Sequence, residues 1–152
     1  MATSLNKKLL VSFFFLAITL LLQFRVSHFT GSNFNFALAA LLALAFFTRF
    51  LDVVFLSLFG VVALTWRPGV TPEMVTFFLL PLIAYAVRQF IPGKRWLNHV
   101  LLTAGGIVVF YIVSDFSLFA SHFGSIAVDV LGSTLVGAFL FQVLDHLYAQ
   151  PA

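Results

Sequence analysis

Residues Asn33–Trp66 read NFNFALAALLALAFFTRFLDVVFLSLFGVVALTW. This run is almost wholly apolar and is interrupted by one charged pair, Arg49 and Asp52. As one straight helix it would be about 50 Å long at 1.5 Å per residue. The hydrocarbon core of a bilayer is about 30 Å thick. The run must therefore fold back at the charged pair or carry two charges into lipid, and the hairpin is the cheaper solution. It places Arg49 at the negative, C-terminal end of one helix and Asp52 at the positive, N-terminal end of the next. Asp52 is also a favoured N-cap type. The arms, 34–48 and 52–66, are each at or below the usual length of a span.

The composition around this run supports a bilayer setting. Of 152 residues, 62% are hydrophobic and 9% charged, against about 25% charged in a soluble domain. Mean hydropathy is +1.11. The formal charge of +3 does not point to nucleic acid, because Lys and Arg stand at the ends of apolar segments, where membrane topology uses them. There are no cysteines, which excludes disulfides and thiolate metal sites. Lys7 and Lys8 followed by the apolar run Leu9–Leu22 resemble a signal peptide, but no small-residue cleavage pattern follows. A retained first helix is expected.

The reading is all-α: a polytopic transmembrane bundle of six helices, about 8–24, 34–48, 52–66, 73–91, 96–114 and 125–147, in a single membrane domain over 1–152. The loop from Arg25 to Asn33 is polar and contains Thr30-Gly31-Ser32-Asn33, a turn composition. Arg67-Pro68-Gly69 ends the third segment. Thr71-Pro72-Glu73 opens the fourth with an N-cap type, a proline at the first helical position and an acid in the first turn. Pro81 lies inside that segment and is expected to kink it. Pro92-Gly93-Lys94-Arg95 is the clearest loop. Six spans with short loops account for the residues given, which leaves no soluble catalytic or nucleotide-binding module.

Orientation follows the basic residues of the short loops. With the N-terminus cytoplasmic, Lys7, Lys8, Arg49, Arg88, Lys94 and Arg95 fall inside, and Arg25 and Arg67 outside. The expectation is N-in/C-in, a multi-pass protein of the cell's inner (cytoplasmic) membrane. Trp66, Trp96, Tyr111 and Tyr148 lie near helix ends, where amphipathic rings prefer the interface.

Few polar residues offer chemistry. Asp115, His122 and Asp129 form a short series around the loop before the last segment. An acid within a span marks a functional site by default, so Asp115 and Asp129 are the intramembrane acid candidates, for cation or proton handling or capture of an amine. The plainer reading, preferred here, leaves both wet at the interface. Asp145 and His146 read as a solvated helix end. Arg88 reads as a snorkelling topology anchor rather than a phosphate ligand. His28, His99, His122 and His146 lack metal-ligand spacing, and no Ser-His or Gly-x-Ser-x-Gly arrangement is present. No catalytic residue, metal site or cofactor is assigned, and no small-molecule ligand is indicated.

Small residues carry more signal. Ala39 and Ala43 are four apart, Gly105 and Gly106 sit in the fifth segment, and Ser133 and Gly137 are four apart in the sixth. Such spacing lets helix backbones approach in lipid. These six are candidates for packing within the bundle or for contact with a partner, and Arg49 with Asp52 marks the cytoplasmic turn.

With six short spans in about 150 residues, the chain resembles the MreD family of rod-shape-determining membrane proteins. The matching features are the basic start before the first helix, Asn33-Phe34 opening the second segment, the Phe-Thr-Arg-Phe-Leu-Asp turn at 47–52, the Pro-Gly-Lys-Arg loop and a last helix rich in small residues. The chain departs from that pattern in having few glycines in segments two and three. The resemblance implies a non-enzymatic scaffold of the cell-elongation machinery in cell-wall biogenesis, whose partner is a single-span MreC-like membrane protein. The same layout is similar to the substrate-binding S-components of energy-coupling-factor transporters, which dock through an Ala-x-x-x-Ala stripe. Here Ala39-x-x-x-Ala43 matches in letters but stands on the second helix instead of the first. That second resemblance implies a solute-binding subunit.

Overall fold

The computed structural model describes residues 2–30, 34–64, 69–114 and 116–149, with side chains from Lys8 onward except at 118 and 149. These residues form seven helices and no strand: α1 (Ala2–Thr30), α2 (Phe36–Leu44), α3 (Phe50–Leu64), α4 (Pro72–Val87), α5 (Arg95–Ser114), α6 (Phe116–Ser121) and α7 (Phe123–Ala149).

The decisive element is α2. Its sequence, Phe-Ala-Leu-Ala-Ala-Leu-Leu-Ala-Leu, is apolar on every side, and all nine residues are buried. A helix without a polar stripe has no preferred wet face and goes inside. It touches α1, α3, α4, α5 and α7, which together enclose it. At 1.5 Å per residue it is about 14 Å long, so the expected second span, 34–48, is here a short interior helix. The chain leaves it through a tight turn over 45–49, with Phe46 N–H donating to the Ala43 carbonyl and Phe47 N–H to that of Leu44.

The surrounding helices turn small and polar residues inward and large apolar ones outward. On α7 the inner row is Asp129, Ser133, Gly137, Leu140 and Leu144, while Val128, Leu131, Leu135 and Phe139 are exposed. On α5 Asn98, His99, Thr103 and Gly106 face in, and Leu97, Leu101 and Val109 face out. A soluble protein shows the reverse pattern. An apolar solvent explains it, because lipid costs nothing to leucine while helices associate through small residues and internal hydrogen bonds. Among the described residues, three segments are long and apolar enough to cross a membrane: Lys8–Thr30, Arg95–Ser114 and Phe123–Tyr148. Phe50–Leu64 and Pro72–Val87 are apolar but shorter. The exterior is that of a membrane protein.

Several boundaries differ from the sequence reading. α1 runs on through Arg25 to Thr30, because the polar stretch 25–30 contains no helix breaker. α4 ends at Val87 instead of Ile91, and Pro81 sits within it. The expected outer loop holds α6. At the start of α4, Thr71 Oγ1 accepts from Met74 N–H at 3.4 Å, with Pro72 at the first helical position. Asp52 is not the N-cap of α3. It lies in the first turn and accepts from the Arg49 amide at 3.4 Å, the reach-back half of a capping box. Gly69 and Gly93 adopt φ of 118° and 132°, a left-handed backbone that suits glycine and lets the chain turn before α4 and α5.

Candidate functional site

A nine-residue helix buried in apolar surroundings has a specific problem. Its first N–H groups and last carbonyls have no partners within the helix. Unsatisfied backbone in hydrocarbon costs several kcal/mol per group. Side chains from α7, from α1 and from the α4–α5 connection meet this need.

At the head of α2, Asp129 on α7 is the centre. Its Oδ1 accepts from the Asn35 amide at 3.1 Å and from Ser133 Oγ at 2.9 Å. Its Oδ2 accepts from Asn35 Nδ2 at 3.0 Å and from the Tyr111 hydroxyl of α5. Asn35 Nδ2 also donates to Tyr111 Oη at 3.0 Å, and the Asn35 amide also reaches Ser133 Oγ at 3.1 Å. Gln23 of α1 completes the end by accepting from the Ala37 amide at 2.9 Å. The carboxyl group stands at the positive end of the helix dipole. Asp129 is only 3% exposed. The preferred expectation of a wet interfacial acid is therefore corrected: Asp129 is enclosed because the backbone of α2 supplies donors that water would otherwise supply.

At the foot of α2, Arg88 just beyond α4 donates through Nη1 to the Ala45 carbonyl. Its guanidinium lies 4.0 Å from the Tyr85 ring centroid, a cation–π contact that holds its plane. A cation at the negative end of the dipole completes the match. Acid at the head and base at the foot come from different helices and enclose α2 between them. Arg88 is thus more than a topology anchor, because its side chain is turned in toward the foot of α2.

Between these ends, His99 is wholly buried. Its ring stacks on Phe141 at 4.8 Å and meets Phe46 edge-on at 5.6 Å. Thr103 Oγ1 lies 3.3 Å from its Nδ1.

The small residues divide into two groups. Ala39 and Ala43 are fully buried, so this stripe packs inside the bundle and is not offered to a partner. A Cβ on Gly137 would lie 3.3 Å from Ala39 Cβ and from Thr103 Cγ2, and one on Gly106 would lie 3.1 Å from Leu42 Cδ1. Both glycines are close-approach points against α2. Gly105 faces open space. Ser133 belongs to the Asp129 cluster. Arg49 is exposed and Asp52 half-buried at the turn. Asp115 lies outside the described residues, as do Trp66 and Arg67. Asp145, His146 and His122 are exposed, and among the described residues no group of three metal-ligating side chains comes together. Tyr111, expected at the interface, is instead half-buried in the cluster.

Asn35, Gln23 and Tyr111 were not singled out as site residues from the sequence. Asn35 left one signal, an amide between Phe34 and Phe36 at the head of an apolar run. Its partner Asp129 is 94 residues away, and nothing local announces the pair. Compared with known proteins, the chain matches no family model, no curated protein and no solved structure.

Proposed function

We propose that the chain is a non-enzymatic, MreD-like membrane scaffold of the cell-elongation machinery, with six helical segments and both termini on the cytoplasmic side. The observation that supports this most is the filling of the bundle by α2. The helix takes up the interior, and the intramembrane acid Asp129 is committed to holding it. What remains for work is the outer surface, the apolar faces of α1, α5 and α7.

The orientation is supported by the gathering of basic residues at one end. Lys8 lies 5.3 Å from the Tyr148 ring centroid, and Tyr148 stacks on Phe47 at 5.7 Å, two residues before Arg49. Arg88 reaches Ala45 beside them, and Arg95 shares a cavity with Arg88. By the positive-inside rule this end is cytoplasmic. The single-span MreC-like partner would lie along the outward face of α7, which carries Leu131, Leu135 and Phe139.

Photocrosslinking from Leu131 and Leu135 in the native membrane tests this reading. An adduct with a single-span protein is expected. A small organic solute that stays with the purified chain, with no protein adduct, would instead favour the solute-binding subunit.

A further inference from the structure

Beyond the scaffold reading, we propose that the chain binds the phosphate of an anionic phospholipid headgroup in the cavity between the foot of α2 and the α4–α5 connection. The cavity has a volume of about 210 Å³ and is lined by Phe46, Arg88, Gln89, Arg95 and Asn98. Two guanidinium groups face one small space. The bond from Arg88 Nη1 to Ala45 uses one of the five donors that a guanidinium offers, and Tyr85 fixes the orientation of the rest. Arg95 is the first residue of α5, a helix start whose backbone N–H groups and dipole favour an anion.

The charge points the same way. Arg88, Lys94 and Arg95 fall within eight residues, and no acid is among the residues that line the cavity. Asn98 Nδ2 donates to the Ile91 carbonyl at 2.9 Å, which ties the connection to the first turn of α5. Planar guanidinium pairs recognise phosphate oxygens through parallel hydrogen bonds. A phosphate source is chosen by the surroundings. Phe90, Trp96 and Leu97 are exposed beside the cavity at 76%, 54% and 42%, an apolar rim that suits acyl chains. Basic pockets between helices on the cytoplasmic side are the usual seat of anionic headgroups.

The test uses the full chain purified in a mild detergent. Retention of phosphatidylglycerol against phosphatidylcholine is read by native mass spectrometry. The parent should retain phosphatidylglycerol preferentially. Arg95→Gln should lower that preference about tenfold or more, the scale of one charge-assisted hydrogen bond to the phosphate. Lys8→Gln removes the same charge at the same end, away from the cavity, and should leave the preference unchanged. If Arg95→Gln does not elute as the folded parent does, Arg95→Lys replaces it, with a smaller loss expected from the missing planar fork. Equal retention of the two lipids by the parent, or an equal loss in Lys8→Gln, would overturn the proposal. Complete displacement of the lipid by excess inorganic phosphate would assign the cavity to a soluble anion and overturn the lipid assignment.

Discussion

Replacing Asp129 with Ala removes the group that fastens the head of α2, and the cost can be worked from its bonds. The carboxyl group accepts four hydrogen bonds, from the amide and side chain of Asn35, from Ser133 and from Tyr111. Side-chain hydrogen bonds in membrane proteins contribute about 0.6–1 kcal/mol each. Losing four predicts a destabilisation of about 2–4 kcal/mol for Asp129→Ala. Asp129→Asn keeps the shape and one carbonyl acceptor but sets an amide donor against the donors of Asn35 and Tyr111, so about half that loss is expected. Tyr111→Phe and Ser133→Ala each remove fewer bonds and should cost about 1 kcal/mol. The assay is reversible unfolding in mixed micelles by dodecyl sulfate titration, followed by far-ultraviolet circular dichroism. Because Tyr111 and Asp129 share a bond, the double variant should lose less than the two single losses added together. An Asp129→Ala protein within about 0.5 kcal/mol of the parent would refute the reasoning, since that is the range of a surface substitution.

Other substitutions probe the same architecture. Gly137→Ala and Gly106→Ala meet α2, His99 or Thr103 at tight distances and should each cost about 1–3 kcal/mol in the same titration; Gly105→Ala faces open space and should be neutral or stabilising by under about 1 kcal/mol. Arg88→Ala leaves the foot of α2 without its cation and should cost about 1–2 kcal/mol, with Arg88→Lys intermediate. Leu135 is 70% exposed near the middle of α7, so Leu135→Arg should disfavour insertion of that helix by about 3 kcal/mol in a translocon insertion assay. Arg25→Lys, which keeps a charge near the end of α1, should leave insertion of that helix unchanged.

The hairpin at Arg49–Asp52, the Thr71-Pro72 helix start and the Pro92-Gly93 turn were legible in the sequence because each rests on local chemistry. A charge in an apolar run, a proline at a helix start and a glycine with positive φ act within a few residues. The burial of α2 was not legible. Leucine and alanine read alike whether lipid or protein surrounds them, and hydropathy does not separate the two. Asp129 could be marked as costly, but its partner Asn35 and the foot contact of Arg88 with Ala45 are products of tertiary folding. The stripe Ala39/Ala43 was legible as a close-packing face. Whether its neighbour came from this chain or another depended on Gly137 lying opposite, which no spacing rule supplies.

The decisive measurement is photolabelling of the detergent-solubilised protein with an apolar aryl diazirine, whose carbene inserts into residues that face the detergent, before and after unfolding, read residue by residue by mass spectrometry. Leu41 in α2, 1% exposed, is predicted to stay unlabelled until the protein unfolds, while Leu135 in α7, 70% exposed, labels in the folded state. Labelling of Leu41 in the folded protein at the level of Leu135 would contradict a bundle closed around a central helix.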